Sequence, residues 1–372
     1  MTTASFIPVA NPQAGLAPLM PELQAAIERV LQSGRYVLGA EVTAFEAEFA
    51  NFIGAEACVG VANGTDALEL ALRSVGVGPG DEVLTVANTV TATASAIAAI
   101  GARPRFVEVD KSTFNMCPDA LATALQSGSA KAIVPVHLYG GPADLTAICD
   151  LAARYGIPVV EDCAQAVGAT WADRPVGSWG QAAAFSFYPT KNLGCLGDGG
   201  AIVTRDLTVA ERARALRQYG WQQRYVATDS GGRNSRLDEI QAAVLRTLLP
   251  HLPAFNQRRR EIAQRYLEQL AEVSHLVTLP SELPKAHHVY HQFVVRASER
   301  DALQTRLAAA GVGTAVLYPE PIHRQPAFAQ PDLSLPVTER CCAELLCLPI
   351  YPGLEEAHVD RVSRELISAL QA

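Results

Sequence analysis

The segment Ile157-Pro158-Val159-Val160-Glu161-Asp162 is an apolar run that ends in two carboxylates, and a helical pattern over residues 143–155 precedes it. A short apolar run beside a helical segment is typical of a buried strand. The same alternation of strand and helix patterns extends over residues 58–204. It predicts an α/β fold with a mostly parallel sheet and helices on both faces, in which ligands bind at the carboxyl ends of the strands.

Two amphipathic helices open the chain, and each is predicted from apolar residues at helical spacing. These residues are Leu23, Ile27, Val30 and Leu31 in the first helix and Val42, Phe45 and Phe49 in the second. Gly34 is placed to end the first helix. Strands are then predicted at residues 58–62, 83–87, 106–109, 132–137, 157–161, 184–188 and 201–204, with helices at 66–75, 92–100, from about 118, and 143–155.

The pattern changes after Arg236, which predicts a second domain. A helix over 237–248 ends at Pro250 and a long, arginine-rich helix follows over about 255–273. A β-like run at 289–296 and helices near 300–310 and 355–370 complete the chain. We therefore expect an N-terminal segment and large domain over residues 1–250 and a small C-terminal α/β domain over 251–372.

Composition limits the classes of function. The chain has 372 residues, of which 49% are hydrophobic, and its net charge is −8, so we expect a folded protein that binds neither nucleic acid nor an anionic membrane. The uncharged stretch 83–102 contains Asn88 and several threonines, which favours a strand and a short helix over a membrane span. Eight scattered cysteines without a CxxC pair, and no basic residue before Arg29, favour a cytoplasmic protein with reduced thiols.

Two predicted strands are followed by residues that could bind a ligand or take part in a reaction. Asn63-Gly64-Thr65 follows the first strand and opens a helix, whose N-terminal N–H groups can bind a phosphate; an ordinary Asn or Thr cap is the alternative. Asp162 follows the strand 157–161, where a buried carboxylate must be paired or hydrogen-bonded. A helix cap or a metal ligand is the alternative for Asp162, although no further ligands have a recognisable spacing.

Lys191 lies between the aromatic strand end Phe185-Ser186-Phe187-Tyr188 and a glycine-rich loop. Only four of the 30 basic residues are lysines, which suggests that this one does what arginine cannot. A buried amine can form a Schiff base with an aldehyde, whereas a guanidinium cannot; the alternative is an ion pair with Asp198. An amine, a carboxylate and a phosphate site are what pyridoxal phosphate requires. No GxGxxG follows the first strand, so a dinucleotide has weaker support.

With these motifs the chain resembles the DegT/DnrJ/EryC1/StrS family of nucleotide-sugar aminotransferases, which use pyridoxal phosphate and have the fold-type I architecture of aspartate aminotransferase. The resemblance covers nearly the whole chain. The motifs that carry it are Gly34 to Gly39, Asn63 to Leu68, His137 to Gly140, Glu161 to Ala166, Ser186 to Lys191, Gly199-Gly200, Asn234 to Ala242, Tyr290 to Gln292 and Tyr318 to His323.

The resemblance implies a role for each matching residue. Lys191 would be the Schiff-base lysine, Asp162 the partner of the pyridine nitrogen, and Gln165 a neighbour of the ring hydroxyl. Phosphate contacts would come from Gly64, Thr65 and Ser186, and from Asn234 of a neighbouring subunit, which implies a homodimer with shared active sites. From the sequence alone, Asn234 can also be a helix cap before Leu237. Val90 stands where the family often has an aromatic residue on the cofactor ring.

The implied reaction transfers an amino group from L-glutamate to a nucleotide-diphosphate keto-sugar. The segment Tyr219 to Arg236 most resembles members that aminate C3 of dTDP-3-keto-6-deoxyhexoses. C4 transaminases of UDP-, GDP- or dTDP-4-keto sugars are the alternative, followed by a non-catalytic regulatory homologue. A sugar dehydratase of the same fold is disfavoured because those proteins replace the lysine with histidine. Arg224, Tyr225, Tyr318 and His323 are the expected substrate contacts, although the family's frequent His-Tyr-Pro is Leu317-Tyr318-Pro319 here.

Two further clusters have simpler explanations. His287, His288 and His291 have metal-like spacing, but a β-like run would divide them between two faces, so we expect structural or substrate-loop roles and no metal. The run Arg258-Arg259-Arg260 is predicted to be a solvated helix face.

Overall fold

A computed structural model describes residues 6–371 and shows strands and helices in alternation. The α-helices of this range are α1 (Pro12–Leu16), α2 (Met20–Ser33), α3 (Ala40–Ile53), α4 (Gly64–Ser74), α5 (Thr91–Ala99), α6 (Pro118–Leu125), α7 (Leu145–Tyr155), α8 (Leu207–Leu216), α9 (Glu239–Leu248), α10 (Leu252–Leu270), α11 (Arg300–Ala309), α12 (Pro336–Glu344) and α13 (Glu356–Gln371). The strands are β1 (Ala57–Val61), β2 (Glu82–Val86), β3 (Arg103–Val107), β4 (Ala130–Ile133), β5 (Val160–Asp162), β6 (Thr170–Trp171), β7 (Arg174–Pro175), β8 (Ala182–Ser186), β9 (Gly200–Thr204), β10 (Trp221–Gln223), β11 (Val226–Ala227), β12 (Ala286–His287), β13 (Phe293–Arg296) and β14 (Leu345–Leu348).

One large sheet organises the N-terminal part. Strands β1-β9-β8-β5 and β3-β2-β4 form its two halves, and parallel bridges from Ile133 to Val159 and from Val136 to Asp162 join β4 to β5. All of these strands point the same way except β9, which runs antiparallel to both of its neighbours. The prediction of a mostly parallel sheet is confirmed. A loop without a helix connects β8 to β9. A loop of this kind can join antiparallel neighbours, whereas parallel neighbours need a crossover connection.

Helices cover both faces of this sheet. On one face, the ring of Phe49 packs edge-on against Phe185 and Phe187, with centroids 5.1 and 5.3 Å apart. On the other face, Leu70 and Leu72 of α4 are fully buried in a second apolar cluster. Uncharged residues 83–102 form β2 and α5, as predicted, and no helix within residues 6–371 has the length and apolarity to cross a membrane.

Helix α2 ends where the sequence predicts. Gly34 takes a left-handed conformation at its C-terminus, with φ of 65°. Leu23 and Val30 are buried, but Leu31 is 56% exposed and so lies outside the apolar face to which it was assigned.

Two motifs far apart in sequence meet at the start of α3. The buried carboxylate of Glu239 accepts hydrogen bonds from the N–H groups of Gly39 at 2.6 Å, Glu41 at 2.9 Å and Val42 at 3.0 Å. It thereby caps helix α3, whose own N-cap residue is a glycine without a side chain to do so. The contact fixes α9 against α3 on the same face of the sheet.

A second apolar core lies in the C-terminal part. Strands β13 and β14 pair antiparallel, and Tyr266 of α10 packs on Phe293 with centroids 4.9 Å apart. Helix α10 contributes to two cores. Leu252 packs in the core that contains Phe49 and Phe185, and Ile262 packs in the C-terminal core with Tyr266. The domain boundary near residue 250 stays a prediction.

Candidate active site

Lys191 lies in the loop between β8 and β9, which backbone hydrogen bonds hold in place. The N–H of Lys191 donates to the carbonyl of Tyr188 at 2.8 Å, and that of Phe187 donates to Gly199 at 2.8 Å. Burial lowers the pKa of the Lys191 amine to about 8, against the opposing effect of the Asp162 carboxylate. The alternative ion pair with Asp198 is not formed: the Asp198 side chain is exposed, and the ion pairs among residues 6–371 do not include it. The amine therefore has the lowered pKa that a nucleophile near neutral pH requires.

Asp162 ends β5 and is 6% exposed. Its carboxylate accepts a hydrogen bond from the Thr93 hydroxyl at 3.0 Å and another from the N–H of Ala164 at 3.2 Å. Burial raises the pKa of Asp162, while these two hydrogen bonds and the charge of Lys191 act in the opposite direction. Thr93, on α5, was not predicted, because a threonine in a helix carries no sequence signal for a partner 69 residues away.

The neighbouring carboxylate, Glu161, points to the other face of the sheet, as alternation along a strand requires. It accepts hydrogen bonds from the N–H groups of Gly177 at 2.7 Å, Trp179 at 2.8 Å and Gly180 at 2.8 Å, and lies 3.1 Å from Nε2 of His137. His137 Nδ1 accepts the N–H of Ala143 at 3.0 Å, so Nε2 carries the hydrogen.

Among residues 6–371, His137, Glu161 and Cys163 are the group of side chains close enough to share a metal ion. Both nitrogens of His137 and both oxygens of Glu161 already have hydrogen-bond partners. The structure therefore accounts for this group without a metal. His287, His288 and His291 do not form such a group within residues 6–371, and the ring of His288 stacks on that of Tyr290.

The predicted phosphate site lies where β1 and β8 end. Asn63 caps α4 by accepting the N–H of Asp66 at 2.8 Å, which leaves the first N–H groups of the helix, those of Gly64 and Thr65, without intrahelical partners. A Cβ built on Gly64 would lie 2.7 Å from Cβ of Ser186, so only glycine fits there. The Asn cap of the alternative interpretation is present, and it does not use the N–H groups that a phosphate needs.

Gln165 is held at both ends of its amide. Its Oε1 accepts the N–H of Tyr139 at 2.6 Å, and its Nε2 donates to the hydroxyl of Tyr318 at 2.8 Å. Tyr139 and Tyr318 have positive φ values of 58° and 59°, which tyrosine adopts rarely and which cluster at functional sites. Since the Tyr318 oxygen accepts from Gln165, its own proton is free for another acceptor.

A chain of amides beside Lys191 fixes the tautomer of His291. Asn256 Nδ2 donates to the carbonyl of Val167, so Asn256 Oδ1 accepts from Asn192 Nδ2 at 2.8 Å. Asn192 Oδ1 must then accept from His291 Nδ1, 3.1 Å away. Burial, then the charges of Lys191 and Arg259, lower the pKa of His291 well below its usual range. His291 is thus a neutral ring with its free electron pair on Nε2.

The other predicted site residues occupy different surroundings. Val90 is 40% exposed at the start of α5, in keeping with a contact for a bound ring. Asn234 is exposed, and helix α9 begins only at Glu239 with Asp238 at its N-cap position, so the alternative role of Asn234 as a helix cap is wrong. Arg224 and Tyr225 form the exposed turn of the β10–β11 hairpin, with the guanidinium 4.9 Å from the ring centre.

His323 was expected to contact a substrate, and the structure does not support this. Its side chain has no exposed surface, and its Nε2 lies 3.0 Å from the carboxylate of Glu339. In this conformation a substrate has no surface of His323 to touch.

These residues fit pyridoxal phosphate. The free N–H groups beside Gly64 and the Ser186 hydroxyl would hold its phosphate, and Asp162 would pair with its pyridine nitrogen. The fit rests on two observations. At the phosphate site, Gly64 leaves a space that a Cβ would fill. At the end of β5, the buried carboxylate of Asp162 accepts hydrogen bonds from Thr93 and Ala164 but forms none of the ion pairs found within residues 6–371.

The chain has clear relatives. Residues 19–367 match the model of the DegT/DnrJ/EryC1/StrS aminotransferase family. The chain is 46% identical over 359 residues to the dTDP-3-amino-3,4,6-trideoxy-alpha-D-glucose transaminase of Streptomyces venezuelae, covering 96% of this chain and 94% of that one. It is 44% identical over 368 residues to the UDP-N-acetyl-3-dehydro-alpha-D-glucosamine 3-aminotransferase of Acidithiobacillus ferrooxidans, covering 98% of both.

Solved structures of two proteins share the fold of this chain. The fold matches that of S. venezuelae DesV in complex with a ketimine intermediate at a TM-score of 0.96 and 45% identity, over 99% of this chain and all of that one (100%). It matches NtdA of Bacillus subtilis with bound cofactor PMP at 0.93 and 30% identity, over 99% and 86% of the two chains. The predicted fold class is confirmed, and the cofactor is pyridoxal phosphate.

Proposed function

The chain belongs to the DegT/DnrJ/EryC1/StrS aminotransferase family, and from this premise we propose that it transfers the amino group of L-glutamate to C3 of a dTDP-3-keto-6-deoxyhexose. The observation that carries the proposal is the placement of Lys191 and Asp162 at one edge of the sheet, close enough for each to influence the other's pKa.

The chain's own residues divide the work. When bound, the cofactor supplies an electron sink for the carbanion formed at the donor's Cα. Lys191, with a pKa of about 8, is partly unprotonated near neutral pH. Its amine can therefore take the proton from Cα of the amino donor and return it to a second carbon. Asp162, whose carboxylate Thr93 orients, would keep a proton on the pyridine nitrogen of the cofactor. Gly64, Thr65 and Ser186 would hold its phosphate, and Val90 would contact its ring.

The position on the sugar is supported by the two relatives named above. Their names place the amino group at position 3 and differ in the nucleotide, dTDP in one and UDP in the other. A C4 transaminase of a UDP-, GDP- or dTDP-4-keto sugar is the alternative. Incubating the purified protein with each keto-sugar and glutamate, and locating the new C–N bond by NMR, tests the choice. Product aminated at C4 alone would contradict the proposal.

The proposed assembly is a homodimer with shared sites, as the family resemblance implies. The Asn234 side chain is exposed in the single subunit, so a neighbouring subunit can reach it. Mixing two inactive variants, Lys191→Ala and Asn234→Ala, tests this. Exchange of subunits would restore roughly a quarter of the wild-type activity, because half of the dimers are hybrids with one intact site of two. No recovery after verified exchange would contradict shared sites.

Arg224, Tyr225 and Tyr318 are the proposed substrate contacts. Tyr318 is best supported, since its hydroxyl proton is free. The cytoplasm is the proposed compartment, since all eight cysteines are free thiols. A non-catalytic regulatory protein is the second candidate; it would show no cofactor absorbance and no bleaching by borohydride, so one spectrum of the purified protein separates the two.

A further inference from the structure

Arg259 differs from its neighbours in the run Arg258-Arg259-Arg260. Arg258 and Arg260 are partly exposed and form ion pairs with Glu261 and Glu282. Arg259 is only 5% exposed. The prediction of a solvated helix face is therefore wrong for this residue, because the middle position of the run faces the interior of the molecule.

The buried guanidinium has no acidic partner. Its Nη1 donates to the carbonyls of Tyr290 at 3.2 Å, His291 at 3.3 Å and Ile350 at 3.1 Å. Its Nε is sealed from solvent without an acceptor, and its Nη2 makes none of the hydrogen bonds found among residues 6–371. Burial alone lowers the pKa of Arg259 to about 10, with no carboxylate close enough to oppose it.

An unpaired buried cation is costly, and proteins pair such charges or use them to bind an anion. The charged and titratable groups facing Arg259 do not pair it. Lys191 is a second cation, and His291 is neutral and influenced by both. Nη2 is the nitrogen of Arg259 that is neither sealed from solvent nor used among residues 6–371, and it can donate a charge-assisted hydrogen bond to a carboxylate.

Arg259 and Lys191 line the same cleft. Its walls also include Asn11, Asn192 and Tyr351, and its volume is about 50 Å³. One water molecule needs roughly 10–15 Å³ of such volume, so the cleft has room for a carboxylate group. A carboxylate held there would leave the rest of its molecule directed away from Arg259.

We propose that Arg259 binds the carboxylate of the amino donor in the cleft that it shares with Lys191. This deepens the proposed function and rests on it. A carboxylate can also come from a uronic acid in the sugar, and the experiment separates these two sources.

The test uses the cofactor-loaded protein and its Arg259→Lys and Arg259→Gln variants, with Arg258→Gln as the matched control. We expect the glutamate concentration that half-saturates the spectral change to rise roughly ten- to a hundredfold in both Arg259 variants, since a charge-assisted hydrogen bond is lost. The control and the KM for a neutral keto-sugar should be unchanged. A correctly folded Arg259→Lys protein with wild-type glutamate affinity would overturn the proposal, as would an effect confined to a keto-uronate substrate.

A second measurement needs no turnover. Glutarate, which has the carboxylates of glutamate without the amine, should raise the melting temperature of the cofactor-free wild type and not that of the Arg259 variants. No protection of the wild type would overturn the inference even if a variant fails to fold. If the loaded wild type does not react with glutamate but glutarate still protects it through Arg259, the proposed donor is wrong and the carboxylate site remains.

Discussion

The amide of Gln165 donates to the hydroxyl of Tyr318 at 2.8 Å, joining residues 153 positions apart in sequence. The backbone N–H of Tyr139 fixes the direction of this hydrogen bond, because it can only donate to the amide oxygen of Gln165. Tyr318 is therefore held with its proton available at the site, close enough to Asp162 to be influenced by its charge.

Replacing Tyr318 with Phe removes this donor. We expect kcat/KM to fall roughly tenfold, the effect of one neutral hydrogen bond. The free energy of unfolding should fall by about 1–3 kcal/mol, because the buried amide of Gln165 loses its acceptor. Tyr155→Phe, at an exposed tyrosine at the end of α7, is the control and should keep wild-type kinetics. If both variants have the same kcat/KM, Tyr318 does not contribute to the site.

Replacing Thr93 with Val tests the support of Asp162. The valine keeps the shape of the side chain and loses the hydroxyl that donates to the carboxylate at 3.0 Å. We expect the Kd for pyridoxal phosphate, measured by absorbance, to rise roughly tenfold. Thr91→Val is the matched control, since the Thr91 hydroxyl bonds to Gln325 and not to Asp162. A larger effect in the control than in Thr93→Val would reverse the assignment.

Asp162→Asn tests the effect of burial on stability. The native fold holds the pKa of Asp162 above its usual value, so over the interval between these two values the native state binds more protons than the unfolded chain. Stability from this group therefore falls as pH rises through that interval. The cofactor-free Asn variant lacks this loss and should gain stability over wild type with increasing pH, as measured by urea unfolding. A difference that shrinks as pH rises would contradict the account.

Glu161→Ala tests the carboxylate on the other face of the sheet. The variant leaves His137 and three N–H groups without their buried acceptor. We expect the free energy of unfolding to fall by roughly 3–5 kcal/mol. Glu48→Ala, which removes an exposed ion pair with Arg246, should cost less than about 1 kcal/mol. Similar losses in the two variants would contradict the structural role of Glu161.

The sequence predicted elements that depend on local pattern. Alternating apolar runs and helical spacing located β5 and α7, and a glycine located the end of α2. The expected ligand site at Asn63-Gly64-Thr65 and Asp162 followed because these residues stand where strands end, and the carboxyl ends of parallel strands meet at one edge of a sheet.

Contacts between distant segments could not be predicted in this way. Neither the capping of Gly39 by Glu239 nor the pairing of Thr93 with Asp162 follows from spacing, because each joins residues far apart in the chain. The burial of two polar residues was not predicted. Arg259 and His323 are polar residues that the fold encloses, although nothing in their local sequence distinguishes them from exposed ones.

The covalent attachment point of the cofactor is the most direct test. The loaded protein is reduced with borohydride, digested and analysed by mass spectrometry, with the Lys191→Ala variant treated in the same way. We expect the phosphopyridoxyl group on Lys191 in the wild type and no turnover in the variant, whose fold should be intact. Finding the group on Lys111, Lys131 or Lys285, or leaving Lys191 unmodified in fully loaded protein, would contradict the account.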